Sequence, residues 1–208
     1  MAMGRPREFD VDKALELALQ VFWRKGYEGA SMADLTETMG ITKPSLYAAF
    51  GNKEELFRKA LDRYVDGPGG YFQVALAKPT ARAVVEHLLY EAADAVTDPD
   101  HPPGCLAVQG ALSCGDAAES IKQELMSRRA NGEEDLRKRF ERAIEEGDLA
   151  AGSDAADLAR YISAILQGMA VQAAGGTTRE QLRKIAEMAL RTWPPPASPA
   201  STDFGMRG

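Results

Sequence analysis

The stretch that most constrains this chain is FWRKGYEGASMADLTETMGITKPSLYAAFGNKEELF, residues 22–57. Two short amphipathic segments flank Met39-Gly40-Ile41-Thr42, and the second closes on Phe50-Gly51-Asn52-Lys53, which opens a third helix. A short helix, a tight turn with glycine and a second short helix that starts on small polar residues form the helix-turn-helix layout. The second helix of such a unit enters the major groove of DNA. Leu46 and Phe50 lie one helical turn apart and share a face, so both are expected in the core. Lys43, Ser45 and Tyr47 then point outward.

Start and stop signals extend the helical reading along the chain. Val11, Leu15, Ala18 and Phe22 recur at helical spacing with Leu19 alongside; Asp10 is the expected N-cap and Gly26 the expected stop. Ser31 with Asp34 and Asn52 with Glu55 are near capping boxes, while Thr42 caps the helix that carries Pro44 in its first turn. The second of these helices shows the apolar face Met32, Leu35 and Met39. Asp66-Gly67-Pro68-Gly69-Gly70 reads as a hinge or loop, since a phosphate-cradling glycine loop needs a preceding strand. Further helices are expected near 80–96, 105–113, 117–147, 154–174 and 178–192, with no strand-like alternation and no internal repeat. The expected architecture is all-α: a three-helix helix-turn-helix unit over 9–66, a larger helical domain over 67–193, and a Pro/Ser/Ala-rich tail over 194–208 that reads as disordered.

Charge narrows the class of partner. Residues 1–65 hold ten basic and ten acidic residues, so the whole net charge of −6 falls beyond them, and Thr38 to Lys53 contains two lysines and no acid. With Arg5 and Arg7 on an N-terminal arm, this is a small cationic footprint on an acidic body. No run approaches the length of a membrane span, and the N-terminus lacks the apolar stretch of a signal peptide, so no membrane partner and a cytoplasmic location are expected. Cys105 and Cys114 are too few for a secreted disulfide scaffold. In a continuous helix, nine residues would set them about 13.5 Å apart, too far for a disulfide, although Gly110 can break that helix. His87, His101 and the two cysteines lack zinc spacing, so neither metal nor cofactor is expected.

Ala18, Phe22, Gly26, Ser31, Leu35, Gly40, Ile41, Thr42, Leu46, Tyr47, Phe50, Lys53 and Leu56 together give the first 60 or so residues a resemblance to the tetracycline-repressor (TetR) family of bacterial transcription regulators. Thr36 and Ala48-Ala49 depart from the family pattern at positions that bear on which base pairs are read. The resemblance implies an all-helical homodimer that binds a palindromic double-stranded DNA operator, carries no enzymatic step, and responds to a small-molecule effector. It places Thr42, Lys43, Pro44 and Ser45 near base edges and gives Tyr47 a phosphate. Lys53, at a helix start where backbone N–H groups also favour an anion, is the best single phosphate contact, and Ser31 and Met32 present another helix start. Arg5 joins them from the arm. Trp23 and Tyr27 read as packing.

For the second domain, the resemblance implies dimerisation through the last two helices. The expected interface is Leu158, Tyr161, Ile162, Ile165, Leu166 and Met169 on one and Leu182, Ile185, Met188 and Ala189 on the other. The segment from His101 to Gly110 is the most singular. Its Gly-Cys-Leu resembles a subset of the family in which the matching cysteine reacts with electrophiles or oxidants, and a helix N-terminus favours a reactive thiolate. Cys105, with His101 and Gln109 nearby, is thus the expected effector or redox site; the opposing reading makes Cys105 a small apolar core residue. Two other functions stay open at this point: a regulator that activates or needs its ligand to bind, and an α-helical thiol enzyme with Cys105 as nucleophile.

Overall fold

The computed structural model describes residues 9–112 and 118–194; Arg5, Arg7, Cys114 and the tail from 195 lie outside these. The described residues form ten helices and no strand. The first four are α1 (Val11–Gly29), α2 (Met32–Met39), α3 (Lys43–Phe50) and α4 (Lys53–Asp66). Asp10 caps α1 by accepting from the Lys13 N–H at 3.1 Å. Gly26 ends the regular helix, consistent with its φ of 70°, but one more turn follows the kink and carries the element to Gly29. Both capping boxes form, at Ser31/Asp34 and at Asn52/Glu55. The α2–α3 turn passes through Gly40 at φ 65°, a left-handed conformation that any β-carbon would strain. Thr42 then caps α3 by accepting from the Ser45 N–H at 3.3 Å.

The glycine-rich stretch makes a tight turn, in which the Gly69 N–H donates to the Tyr64 carbonyl at 2.8 Å and the Gly70 N–H donates to Gly67 at 2.9 Å. It leads directly into α5 (Tyr71–Leu76), a helix absent from the sequence-based expectation. Its six residues, set between glycines and Lys78-Pro79, are too few to show a period. The remaining elements are α6 (Ala81–Ala95), α7 (Leu106–Leu112), α8 (Glu119–Glu145), α9 (Ala155–Ala174) and α10 (Arg179–Thr192), each close to its expected segment.

Two apolar cores result. One gathers Ala18, Leu19, Phe22, Trp23, Leu35, Leu46, Phe50, Leu56, Phe57 and Tyr64 of α1–α4, and it continues into Leu106 of α7 and Ile121 and Leu125 of α8. The other fills the body between α6, α8, α9 and α10. Outside the apolar packing, charge ties α4 to α8. Arg58 Nε donates to Glu124 at 2.7 Å, Arg128 donates to Asp62 at 2.6 Å and to Glu124 at 2.9 Å, and the Ser120 hydroxyl donates to Glu54 at 3.0 Å. The two arginines hold the Glu124 carboxyl below its usual range even though burial opposes them as the largest single influence. The helix-turn-helix unit is therefore packed into the body rather than strung from it.

Candidate nucleic-acid interface and effector segment

Packing sorts the recognition helix into two faces. Leu46 and Phe50 are 0% and 1% exposed, as their spacing required, and Tyr47 is 46% exposed on the opposite side. Thr42, Lys43 and Pro44 are exposed too, while Ser45 is half-buried with its hydroxyl 2.9 Å from that of Thr42. The Lys43 ammonium lies 6.0 Å from the Tyr47 ring centroid. At the start of α4 the Lys53 ammonium sits 4.4 Å over the Tyr27 ring, close enough for a cation–π interaction. Tyr27 packs against Phe22 and Phe57 as expected, and it also orients this lysine. Ser31 is exposed and Met32 half-buried at the start of α2. The Asp34 carboxylate accepts from the Ser31 N–H at 3.0 Å and from its hydroxyl at 2.8 Å, and pairs with Lys25 at 2.6 Å. Lys25 first, then Ser31, pushes the Asp34 carboxyl down to about 2.

The segment around Cys105 lies where the two cores meet. Cys105 is half-buried and packs against both. It immediately precedes α7, and its carbonyl accepts from the Gln109 N–H at 2.9 Å. The Tyr64 hydroxyl donates to Cys105 Sγ at 3.1 Å, although the two residues are 41 positions apart. Burial, and then the neighbouring Cys105 thiol, pushes the Tyr64 phenol well above its ordinary value, and Tyr71 is raised for the same two reasons. Both phenols stay neutral at physiological pH. No spacing in the chain signals this thiol–phenol cluster, because α4, α5 and α7 meet only in the folded protein. His101 packs against α1. Its ring stacks on Trp23 at 5.5 Å, and its Nδ1 lies 3.4 Å from Gln20 Nε2. Gln109 Nε2 donates to the Pro103 carbonyl at 3.5 Å. Gly104, at φ 92°, brings the chain so near α9 that a β-carbon would stand 3.0 Å from the Ala170 carbonyl. This short segment thus touches α1, α4 and α9 at once. Beside it, Pro68, Tyr71, Glu91, Asp98, His101 and Arg179 line a cleft of about 330 Å³.

The expected dimer face divides. Ile162, Met169, Leu182 and Ala189 are 0%, 1%, 0% and 5% exposed within their own subunit's core, so these four are corrected to intrachain packing residues. Leu158, Ile165 and Leu166 are half-buried against the same core. Tyr161 at 42%, Ile185 at 36% and Met188 at 61% remain open, and so does Val171 at 48%, which lies outside the expected set. The spacing describes a single apolar stripe, whereas the helices spend most of it on each other and on α6. Among the described residues, no group of three or more His, Cys, Asp or Glu could hold a metal ion, and no helix is long and apolar enough to cross a membrane.

Comparison with known proteins decides the family. The model for bacterial regulatory proteins of the tetR family matches residues 14–60, and that for the tetracycline-repressor-like C-terminal domain matches residues 81–189. This chain belongs to the TetR family. Like other members, it is a transcription regulator of the helix-turn-helix type. It is 35% identical over 193 residues to the HTH-type transcriptional repressor ComR of Escherichia coli (strain K12), covering 92% of each chain. Over 124 residues it is 36% identical to the repressor BdcR of the same organism, covering 57% of this chain and 60% of BdcR. Among solved structures it resembles the TetR-family regulator CifR, as a cysteine mutant complexed with 26-bp double-strand operator DNA. That likeness has a TM-score of 0.88 at 45% identity and covers 92% of this chain and 100% of the other.

Proposed function

We propose that this TetR-family regulator is a repressor that binds a near-palindromic operator as a homodimer and is released by a small or thiol-reactive effector acting at the Cys105 segment. The observation that carries the DNA reading is the sorting of α3. Its large apolar residues Leu46 and Phe50 are buried, and Thr42, Lys43, Pro44 and Tyr47 are left outward beside the capped starts of α2 and α4. Lys43, Pro44, Thr42 and Ser45 read base edges, whereas Tyr47, Lys53 and the start of α2 at Ser31 and Met32 hold phosphates; phosphate contacts set register and base contacts set sequence. Tyr161, Ile185, Met188 and Val171 are the large exposed apolar side chains that α9 and α10 offer to a second copy. Dimerisation would set two recognition helices about 34–36 Å apart, one turn of DNA.

Release follows from where Cys105 sits. An adduct on Sγ must displace the Tyr64 hydroxyl, and Tyr64 is held edge-on against Trp23 at 4.8 Å. The displacement passes to α4, which carries Lys53 at its other end. An effector that favours the displaced arrangement shifts the population away from the DNA-bound one. The thiol-enzyme reading gains no support, since His101 is engaged by Trp23 and Gln20 rather than by the thiol. Selecting bound DNA from a random pool tests the operator reading, and an absence of enrichment overturns it. Alkylation should weaken binding to the selected duplex in the parent and leave Cys105→Ser unaffected. A parent that keeps its affinity with Cys105 fully alkylated overturns the thiol reading.

A further inference from the structure

The cap that starts α2 has an electrostatic cost. Its box uses an aspartate as acceptor, a carboxylate that is charged at neutral pH with or without a partner. A fixed negative charge stands where a helix start would otherwise attract phosphate. The only cation paired with it among the described residues is Lys25, from α1, with Nζ 2.6 Å from Asp34 Oδ1. Both side chains remain partly open to solvent, at 48% and 31%. The Gly26 kink follows directly. Beyond it, Tyr27 lies under Lys53, so Lys25 and Tyr27 each serve the start of a different helix.

We propose that Lys25 is a positioning residue for DNA binding: it neutralises the Asp34 carboxylate that caps α2, so that a phosphate can approach Ser31 and Met32. This rests on the phosphate reading of the α2 start given above. Lys25 acts through Asp34 and needs no contact of its own with DNA. Like charges a few ångströms apart near a protein surface repel appreciably, and the dimer meets the penalty twice.

A two-by-two set of variants on the duplex selected by the parent protein tests this. Lys25→Met should bind about tenfold more weakly. Asp34→Asn keeps an acceptor for the Ser31 N–H and should bind at least as tightly as the parent. Lys25→Met combined with Asp34→Asn should match Asp34→Asn within about twofold, a rescue that a purely structural role for Lys25 would not give. The inference is overturned if Lys25→Met binds like the parent. It is equally overturned if the double variant is as weak as Lys25→Met, which would make Lys25 a direct contact. Lys53→Ala measured alongside separates the two levels. If it also leaves binding and salt slope unchanged, the phosphate reading of this face fails; if it weakens binding while Lys25→Met does not, only the role of Lys25 fails. Melting temperatures confirm that each variant is folded.

Discussion

The two cores of this molecule are built differently. That of the DNA-binding unit is dense in large rings, with Phe22, Trp23, Phe50, Phe57 and Tyr64, and it is completed by Leu106, Ile121 and Leu125 of the body. The body core is rich in alanine along α6, α9 and α10, closes on its own residues, and leaves apolar side chains such as Met188 and Val171 outside. A unit that borrows part of its core is held in a position set by its lender. A body that keeps its core and still exposes apolar surface is suited to meeting another copy. On the proposed reading, regulation and assembly would use opposite kinds of incompleteness.

The sharpest break between these two uses lies on α9 and α10. Met169→Glu forces a charge into the body core and should prevent folding or lower the melting temperature drastically, whereas Met188→Glu should leave melting nearly unchanged and yield monomers that lose operator binding. Light scattering with thermal melts checks both, and a Met188→Glu protein that remains dimeric with normal affinity moves the interface elsewhere.

Borrowing is tested by Leu125→Ala, a body substitution inside the N-terminal core. It should cost about 2–5 kcal/mol and lower the stability of the recognition unit together with the rest. Hydrogen exchange showing α2 and α3 unaffected would mean that the unit stands alone. For the DNA face, Lys53→Ala should weaken binding equally on all sequences and reduce the log–log salt slope by about one unit for each phosphate left unneutralised. Titrations at several salt concentrations on two unrelated duplexes check this, and an unchanged slope removes Lys53 from the phosphate-binding set.

The smallest effect concerns the junction between the cores. Tyr64→Phe removes one hydrogen bond, about 0.5–1.5 kcal/mol at neutral pH. It should also change the alkaline limb. The folded state holds the Tyr64 proton more tightly than the unfolded state does, so its contribution is complete below the ordinary phenol value of 10.0 and is lost as pH rises through the higher folded value. Denaturant midpoints measured from pH 8 upward should fall less steeply for Tyr64→Phe. Equal slopes would remove Tyr64 from the titration, leaving Tyr71, which is shifted the same way.

Most of the local structure was legible in the sequence; α5, too short to show a period, and the turn beyond Gly26 were not. The caps at Asp10, Ser31, Thr42 and Asn52, the left-handed turn at Gly40 and the buried pair Leu46 and Phe50 were legible because each depends on residues three or four apart, whose chemistry has few alternatives. That α3 turns Lys43 and Tyr47 outward was legible for the same reason. Tertiary structure alone decided the rest. Nothing in the spacing of Trp23, Tyr64 and Cys105 brings them together, nor could periodicity tell which side of the α9 stripe faces its own subunit and which faces out. An amphipathic helix announces that it has an apolar face. Only the packing of all the helices, each competing to bury such a face, determines what covers it.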